Sequence, residues 1–147
     1  MRAVVTRVAN ARVTVDGEIR GAIGRGFLVL LGVHVTDTPA EAEKLADKVC
    51  GLRVFEDENG KMNLNLAAVE GEILVVSQFT LYADTKSRRP GFTQAAKPET
   101  AVPLYELFIN KCKERGFNVS EGVFGAYMKV ESVNDGPVTI VFDTGDM

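Results

Sequence analysis

Phe27-Leu28-Val29-Leu30-Leu31-Gly32-Val33 is apolar on both faces of an extended chain. A strand of that composition must be covered from both sides, so it is expected at the centre of a sheet. Ile73-Leu74-Val75-Val76, within Glu72–Ser77, is a second strand of the same kind. Around these two, Arg2–Ala9 and Ala11–Val15 alternate apolar and polar residues as half-buried strands do. Asp16-Gly17 then supplies a two-residue hairpin turn, because both residue types tolerate positive φ, and Glu18–Ile23 returns. Val119, Tyr127–Val133 and Val138–Phe142 read as the remaining strands. Helix signals occur twice. Thr38 can cap, Pro39 suits the first helical position and Glu41 completes a capping box, with Ala42, Leu45, Val49 and Leu52 at helical spacing. A second helix runs from Pro98 or Glu99 to Arg115, with Ala101, Leu104, Phe108 and Cys112 on one face; Pro103 allows a start as late as Ala101 or Val102. The pattern predicts one compact α/β domain over residues 1–147, of layered, mostly antiparallel, barrel-like sheets with two main helices packed on one side.

The 147 residues suffice for a core of ordinary size, and a 46% hydrophobic and 25% charged composition is that of a globular domain. No apolar stretch approaches the roughly 18 residues a membrane span needs. The first residues are strand-like and carry Arg7 where a signal peptide needs unbroken apolarity, so a cytoplasmic location is expected. Cys50 and Cys112 sit in the helical patterns and read as small buried hydrophobes. A net charge of −3 argues against broad, nonspecific nucleic-acid binding. RNA contact would need a local patch, and Lys86-Ser87-Arg88-Arg89 is the candidate; as plain sequence it is equally a solvated loop.

The acidic turn Glu56–Lys61 lacks the ligand spacing of a calcium loop, and neither metal nor cofactor is expected. No HExxH, Walker A or GxGxxG is present. The lone histidine, His34, follows an apolar run and reads as structural, and no GxSxG elbow accompanies it. What remains is neutral chemistry. The strand ending at Val76 runs straight into Ser77-Gln78-Phe79-Thr80-Leu81-Tyr82. If the chain stayed extended, Gln78 and Thr80 would share a face, able to bind an amino group or a developing oxyanion. Without a nearby base Thr80 is a poor nucleophile. Near the C-terminus, Asn134-Asp135-Gly136-Pro137-Val138-Thr139 reads first as a turn, although an X-Pro bond also has the cheapest access to cis geometry.

These two polar runs together resemble the paired signature of the D-aminoacyl-tRNA deacylases, also called D-tyrosyl-tRNA deacylases. Leu52–Asp57, Gly60–Asn63 and Gly122–Ala126 extend the likeness over nearly the whole chain. The resemblance implies hydrolysis of the ester joining a D-amino acid to the 3′ end of tRNA, and of glycyl-tRNA mischarged on tRNA(Ala). It implies a homodimer in which a cis Gly136-Pro137 enters the partner's site and rejects L-amino acids by a clash. Ser77, Gln78, Phe79 and Thr80 would form the catalytic centre. Family accounts differ on whether Thr80 is the nucleophile or the terminal ribose 2′-OH drives the reaction. Lys86, Arg88 and Arg89 would contact tRNA, and Phe124, Gly125, Ala126 and Met128 the terminal adenosine; as plain sequence, Phe124–Met128 is equally an ordinary strand entry. Where the family commonly has Arg-Pro-Ser-Phe, Arg89-Pro90-Gly91-Phe92 carries glycine. Two other readings stand beside the enzyme: an RNA-end binding module without turnover, and a housekeeping fold whose Gly-Pro is only a turn.

Overall fold

The computed structural model describes residues 1–147. Strand β1 (Arg2–Val15), β2 (Glu18–Ile23) and β3 (Gly26–Gly32) lead into helix α1 (Pro39–Gly51). A short hairpin, β4 (Phe55–Glu56) and β5 (Met62–Leu64), precedes β6 (Glu72–Ser77). Helix α2 (Pro98–Glu114), β7 (Val119–Glu121) and β8 (Lys129–Asp143) complete the chain. The Asp16-Gly17 hairpin forms as the sequence indicates, with φ of 50° and 79° at the two residues. The first helix starts with the expected capping box: the Thr38 amide and hydroxyl both donate to Glu41. Pro103 lies inside α2, which begins at Pro98. In the first turn a missing N–H would have had no partner anyway, and Pro103 falls just beyond it.

The main sheet runs β2-β1-β3-β6-β7, with β8 along β1. β1 is one continuous strand, not the two segments its pattern suggests: its first half pairs β3, its second half β2, and β8 follows both halves. β2 and β7 meet at the far side, where the Ser120 hydroxyl donates to the Ala22 carbonyl at 3.2 Å, so the sheet nearly closes into a barrel. The approach is close enough that a Cβ on Gly21 would stand 2.7 Å from the Glu121 carbonyl oxygen. β3 is central and covered on both faces. Phe27, Val29 and Leu31 join Leu45, Val49, Leu104 and Phe108 beneath the helices, whereas Leu28 packs with Val8, Val13, Leu74 and Val76 inside the barrel. Cys50 and Cys112 are buried between α1 and α2, their sulfurs 3.6 Å apart.

β3 and β6 run parallel, in register from Gly26–Glu72 to Leu31–Ser77. Their C-terminal ends therefore open at the same edge of the sheet, the edge at which α/β sheets habitually hold ligands. No helix is long and apolar enough to cross a membrane.

Candidate active site

At that edge lies a cavity of about 270 Å³. Leu31, Val33, Val76 and Ser77 form its floor, Gln78 and Phe79 one rim, and Phe124–Met128 the facing wall. Ala101 and Tyr105 of α2 close the back. The Tyr105 hydroxyl donates to the Val75 carbonyl at 3.1 Å, and its ring meets Phe124 edge-on at 5.7 Å. Burial raises the Tyr105 pKa above the ordinary phenol range, which keeps the hydroxyl a donor. Phe124 is aimed inward by a turn in which the Ala126 amide donates to the Val123 carbonyl at 3.1 Å. Gly125, at φ 78°, takes the position of that turn requiring positive φ. Met128 packs against Gly122, where a Cβ would approach its sulfur to 2.6 Å.

The rim differs from the extended run considered above. β6 ends at Ser77, and Phe79–Tyr82 wind into a 3-10 turn. The Gln78 amide is held by the Leu31 carbonyl at 2.8 Å, and the first amide bonded within the turn is that of Leu81, to the Gln78 carbonyl at 3.2 Å. The amides of Phe79 and Thr80 are thus the first two of a helical turn, the groups that such a turn leaves for an outside acceptor. Gln78 and Thr80 do come together, through the turn: Gln78 Nε2 donates to Thr80 Oγ1 at 2.5 Å. With an oxygen lone pair so engaged, the Thr80 hydroxyl has its proton free to donate. No carboxylate, imidazole or thiol lines the cavity. His34 stands elsewhere: its Nδ1 accepts from the Thr36 amide at 3.1 Å and its ring lies against Tyr82.

Gly136-Pro137 is not a turn. It lies within β8, with a cis peptide bond, and both residues are exposed. Thr139 pairs with Thr6 and Asn134 with Val8, so four residues of β8, Asp135 to Val138, stand opposite Arg7 alone. The surplus is pushed out as a bulge. Arg7 fills the space beneath it and, although charged, is only 4% exposed. Its Nε donates to the Asp135 carbonyl at 2.9 Å, and its Nη1 to the Val54 carbonyl at 2.6 Å and to Glu56 Oε1 at 3.3 Å. The β4–β5 hairpin that presents these acceptors is tied by Arg53, whose Nε donates to the Asn63 carbonyl at 2.8 Å. Gly136, at φ 128°, has no room for a side chain, since a Cβ would lie 2.9 Å from Arg7 Nη2.

Of the residues singled out from sequence, the cavity gathers Ser77, Gln78, Phe79, Phe124, Gly125, Ala126 and Met128, with Thr80 attached at the rim through Gln78. Gly136, Pro137, Lys86, Arg88 and Arg89 do not line it. The three basic residues are exposed on a loop pinched at its base, where Asp84 and Gly91 exchange backbone hydrogen bonds of 2.7 and 2.9 Å. Tyr105 and Arg7 were missed. The signal for Arg7 was present: it occupies an inward position in the Ala3, Val5, Arg7 alternation.

The fold and site together define a barrel-like α/β protein with an uncharged, partly aromatic cavity at the sheet edge, rimmed by backbone and side-chain amide donors. The D-Tyr-tRNA(Tyr) deacylase family profile matches residues 4–143. A D-aminoacyl-tRNA deacylase of Roseiflexus castenholzii is 58% identical over 145 residues, 98% of this chain and 92% of its own. One from Thermus aquaticus is 56% identical over 147 residues, 99% and 97% of the two chains. Among solved structures, a c-Myc DNA unwinding element binding protein superposes with a TM-score of 0.91 at 45% identity, covering 97% of this chain and 98% of that one. A probable eukaryotic D-amino acid tRNA deacylase superposes with a TM-score of 0.84 at 18% identity over 96% and 97% of the chains, a likeness of fold. This chain belongs to the D-Tyr-tRNA(Tyr) deacylase family.

Proposed function

We propose that the protein hydrolyses the ester between a D-amino acid and the 3′ end of tRNA, and likewise glycyl-tRNA mischarged on tRNA(Ala). The observation that carries this reading is the Phe79–Tyr82 turn, whose leading amides stand beside the Gln78–Thr80 pair at the mouth of an uncharged cavity. An aminoacyl ester is already activated, so positioning and charge stabilisation suffice. Water adds to the carbonyl carbon, negative charge grows on the carbonyl oxygen, and the Phe79 and Thr80 amides meet it. The ester C–O bond then breaks and the 3′ oxygen leaves with a proton. One oxyanion donor is worth on the order of 3 kcal/mol. The adenosine lies between Phe124 and the floor, and the neighbouring ribose 2′-OH orients the attacking water. Thr80 supports this arrangement as a donor and is not the nucleophile. Thr80→Val is therefore expected to keep most of the single-turnover rate; a near-total loss would restore the nucleophile.

Stereochemical choice is assigned to the β8 bulge. β8 pairs with β1 alone and so leaves its other edge free, and its Val133 and Val141 are 54% and 69% exposed, an apolar edge strand for which a second copy of the chain is the natural cover. In a homodimer so formed, Gly136 and Pro137 of one subunit face the Gln78–Thr80 turn of its partner. They leave no volume for an L side chain, while a D side chain points outward and glycine has none. Lys86, Arg88 and Arg89 steer the tRNA acceptor end. Release of amino acid from matched D-Tyr-tRNA, L-Tyr-tRNA and Gly-tRNA(Ala), with sedimentation at the same concentration, tests the reading. Fast loss of D-Tyr and glycine from a two-chain species, with L-Tyr retained, is expected. No release would leave an RNA-end binding module, equal release a non-selective esterase, and a monomer that still rejects L-Tyr would remove the cross-subunit selector.

A further inference from the structure

A second groove, of about 400 Å³, adjoins the cavity on its α2 side. Val35, Phe92, Ala96, Lys97, Glu99 and Thr100 line it. It is continuous with the cavity by two routes: Ala96 lines both, and Phe79 on the cavity rim meets Phe92 edge-on at 5.1 Å. Phe79 and Val35 are 56% and 48% exposed, so apolar and aromatic surface faces solvent here. The groove is also preformed. The Val35 amide donates to the Gln94 carbonyl at 3.0 Å and the Ala96 amide to the Val33 carbonyl at 2.9 Å, which stitches segment 92–97 to the chain leaving β3.

We propose that this groove seats the nucleotide preceding the terminal adenosine, its base against Phe92 and Phe79 and its phosphate beside Lys97 and the Thr100 hydroxyl. The inference rests on the deacylase reading and adds a subsite to it. Charge favours RNA over a peptide or a second copy as the occupant. From Thr85 to Lys97 the chain carries Lys86, Arg88, Arg89 and Lys97 and no acidic residue, in a protein of net charge −3. Glu99 shares the groove, which places the phosphate on the Lys97 side. A single-stranded nucleotide is what an aromatic face flanked by cations binds without regard to sequence, since every base has a stacking surface.

The test compares 3′-D-tyrosyl esters of adenosine and of the dinucleotide cytidylyl-adenosine. In the unmodified protein KM is expected to fall by about five-fold or more from adenosine to the dinucleotide, at constant kcat. Phe92→Ala and Lys97→Gln should each remove most of that gain and leave the adenosyl ester unchanged. Lys97 is exposed and its side chain makes no hydrogen bond or ion pair, so its variant tests the phosphate contact without a folding penalty. Equal KM for the two esters, or variants that impair both alike, would overturn the subsite. If neither ester is hydrolysed, the deacylase reading fails instead. Titration with the matching non-hydrolysable 3′-amides then decides the groove: tighter dinucleotide binding supports it and equal Kd values sink it.

Discussion

Replacing Arg7 by alanine is expected to lower stability by about 2–5 kcal/mol and to disable discrimination between D- and L-aminoacyl-tRNA. The guanidinium is buried and donates to two backbone carbonyls, those of Val54 and Asp135, that come from widely separated segments of the chain. Truncation leaves both acceptors without this donor and opens a void under the bulge. The Val54 carbonyl is buried, and leaving it unsatisfied costs about 1–3 kcal/mol, whereas the Asp135 carbonyl belongs to an exposed residue and costs less. The pairing with Glu56 adds little, because that carboxylate is 54% exposed and screened by water. The functional consequence follows from position. Asp135 precedes Gly136 directly, so losing its bond to Arg7 frees the segment assigned to reject L substrates. Arg7→Lys keeps the charge but not the planar fork that reaches Asp135 and Val54 together, and is expected to fall between. Urea denaturation and L-Tyr-tRNA hydrolysis measured on the same samples check both halves. An alanine variant within 0.5 kcal/mol of the parent that still rejects L-Tyr would show that the bulge holds itself.

Gly26→Ala is expected to be worse still for folding, costing more than about 3 kcal/mol and most of the soluble yield. A Cβ on Gly26 would overlap the Glu72 carbonyl oxygen and stand 2.6 Å from the Glu72 nitrogen. Both obstacles are backbone, and the Glu72 amide is itself committed to the Arg25 carbonyl at 2.9 Å, so neither can swing aside as a side-chain tip would. Gly26–Glu72 is the first pair of the β3–β6 ladder, whose last pair, Leu31–Ser77, forms the cavity floor. Displacement at one end therefore reaches the site at the other. Gly60→Ala serves as the control. Nothing lies within 4 Å of a Cβ there, so only its positive φ is penalised, at roughly 1 kcal/mol. Circular-dichroism melts of the two variants should separate sharply; similar melting temperatures would mean that β3 and β6 can part at no cost.

What was readable in the sequence is what neighbours along the chain decide among themselves. The Thr38–Glu41 box closes over three residues. Asp16-Gly17 needs only the φ tolerance of its own two residues. The doubly apolar Phe27–Val33 run permits no environment except a covered one, and β3 is covered by helices on one face and barrel interior on the other. Of the site, the same local reading gave the identity of the polar rim, Ser77 to Thr80, and the resemblance gave its company at Phe124–Met128. Tertiary structure decided the rest, because the deciding contacts are distant. The local pattern reads as extended through Gln78–Thr80, whereas the ladder to β3 ends with the Gln78 amide on the Leu31 carbonyl and the chain then turns, the Leu81 amide bonding the Gln78 carbonyl. Gly136-Pro137 has every local mark of a turn, yet it lies in a strand because β8 pairs β1 on both sides of it and Arg7, 128 positions away from Asp135, fills the space beneath. The cavity likewise has no local signature. It exists because parallel pairing of β3 with β6 brings their ends together under α2, and packing at that distance is set by shape and unpaired donors, which no single stretch of sequence records.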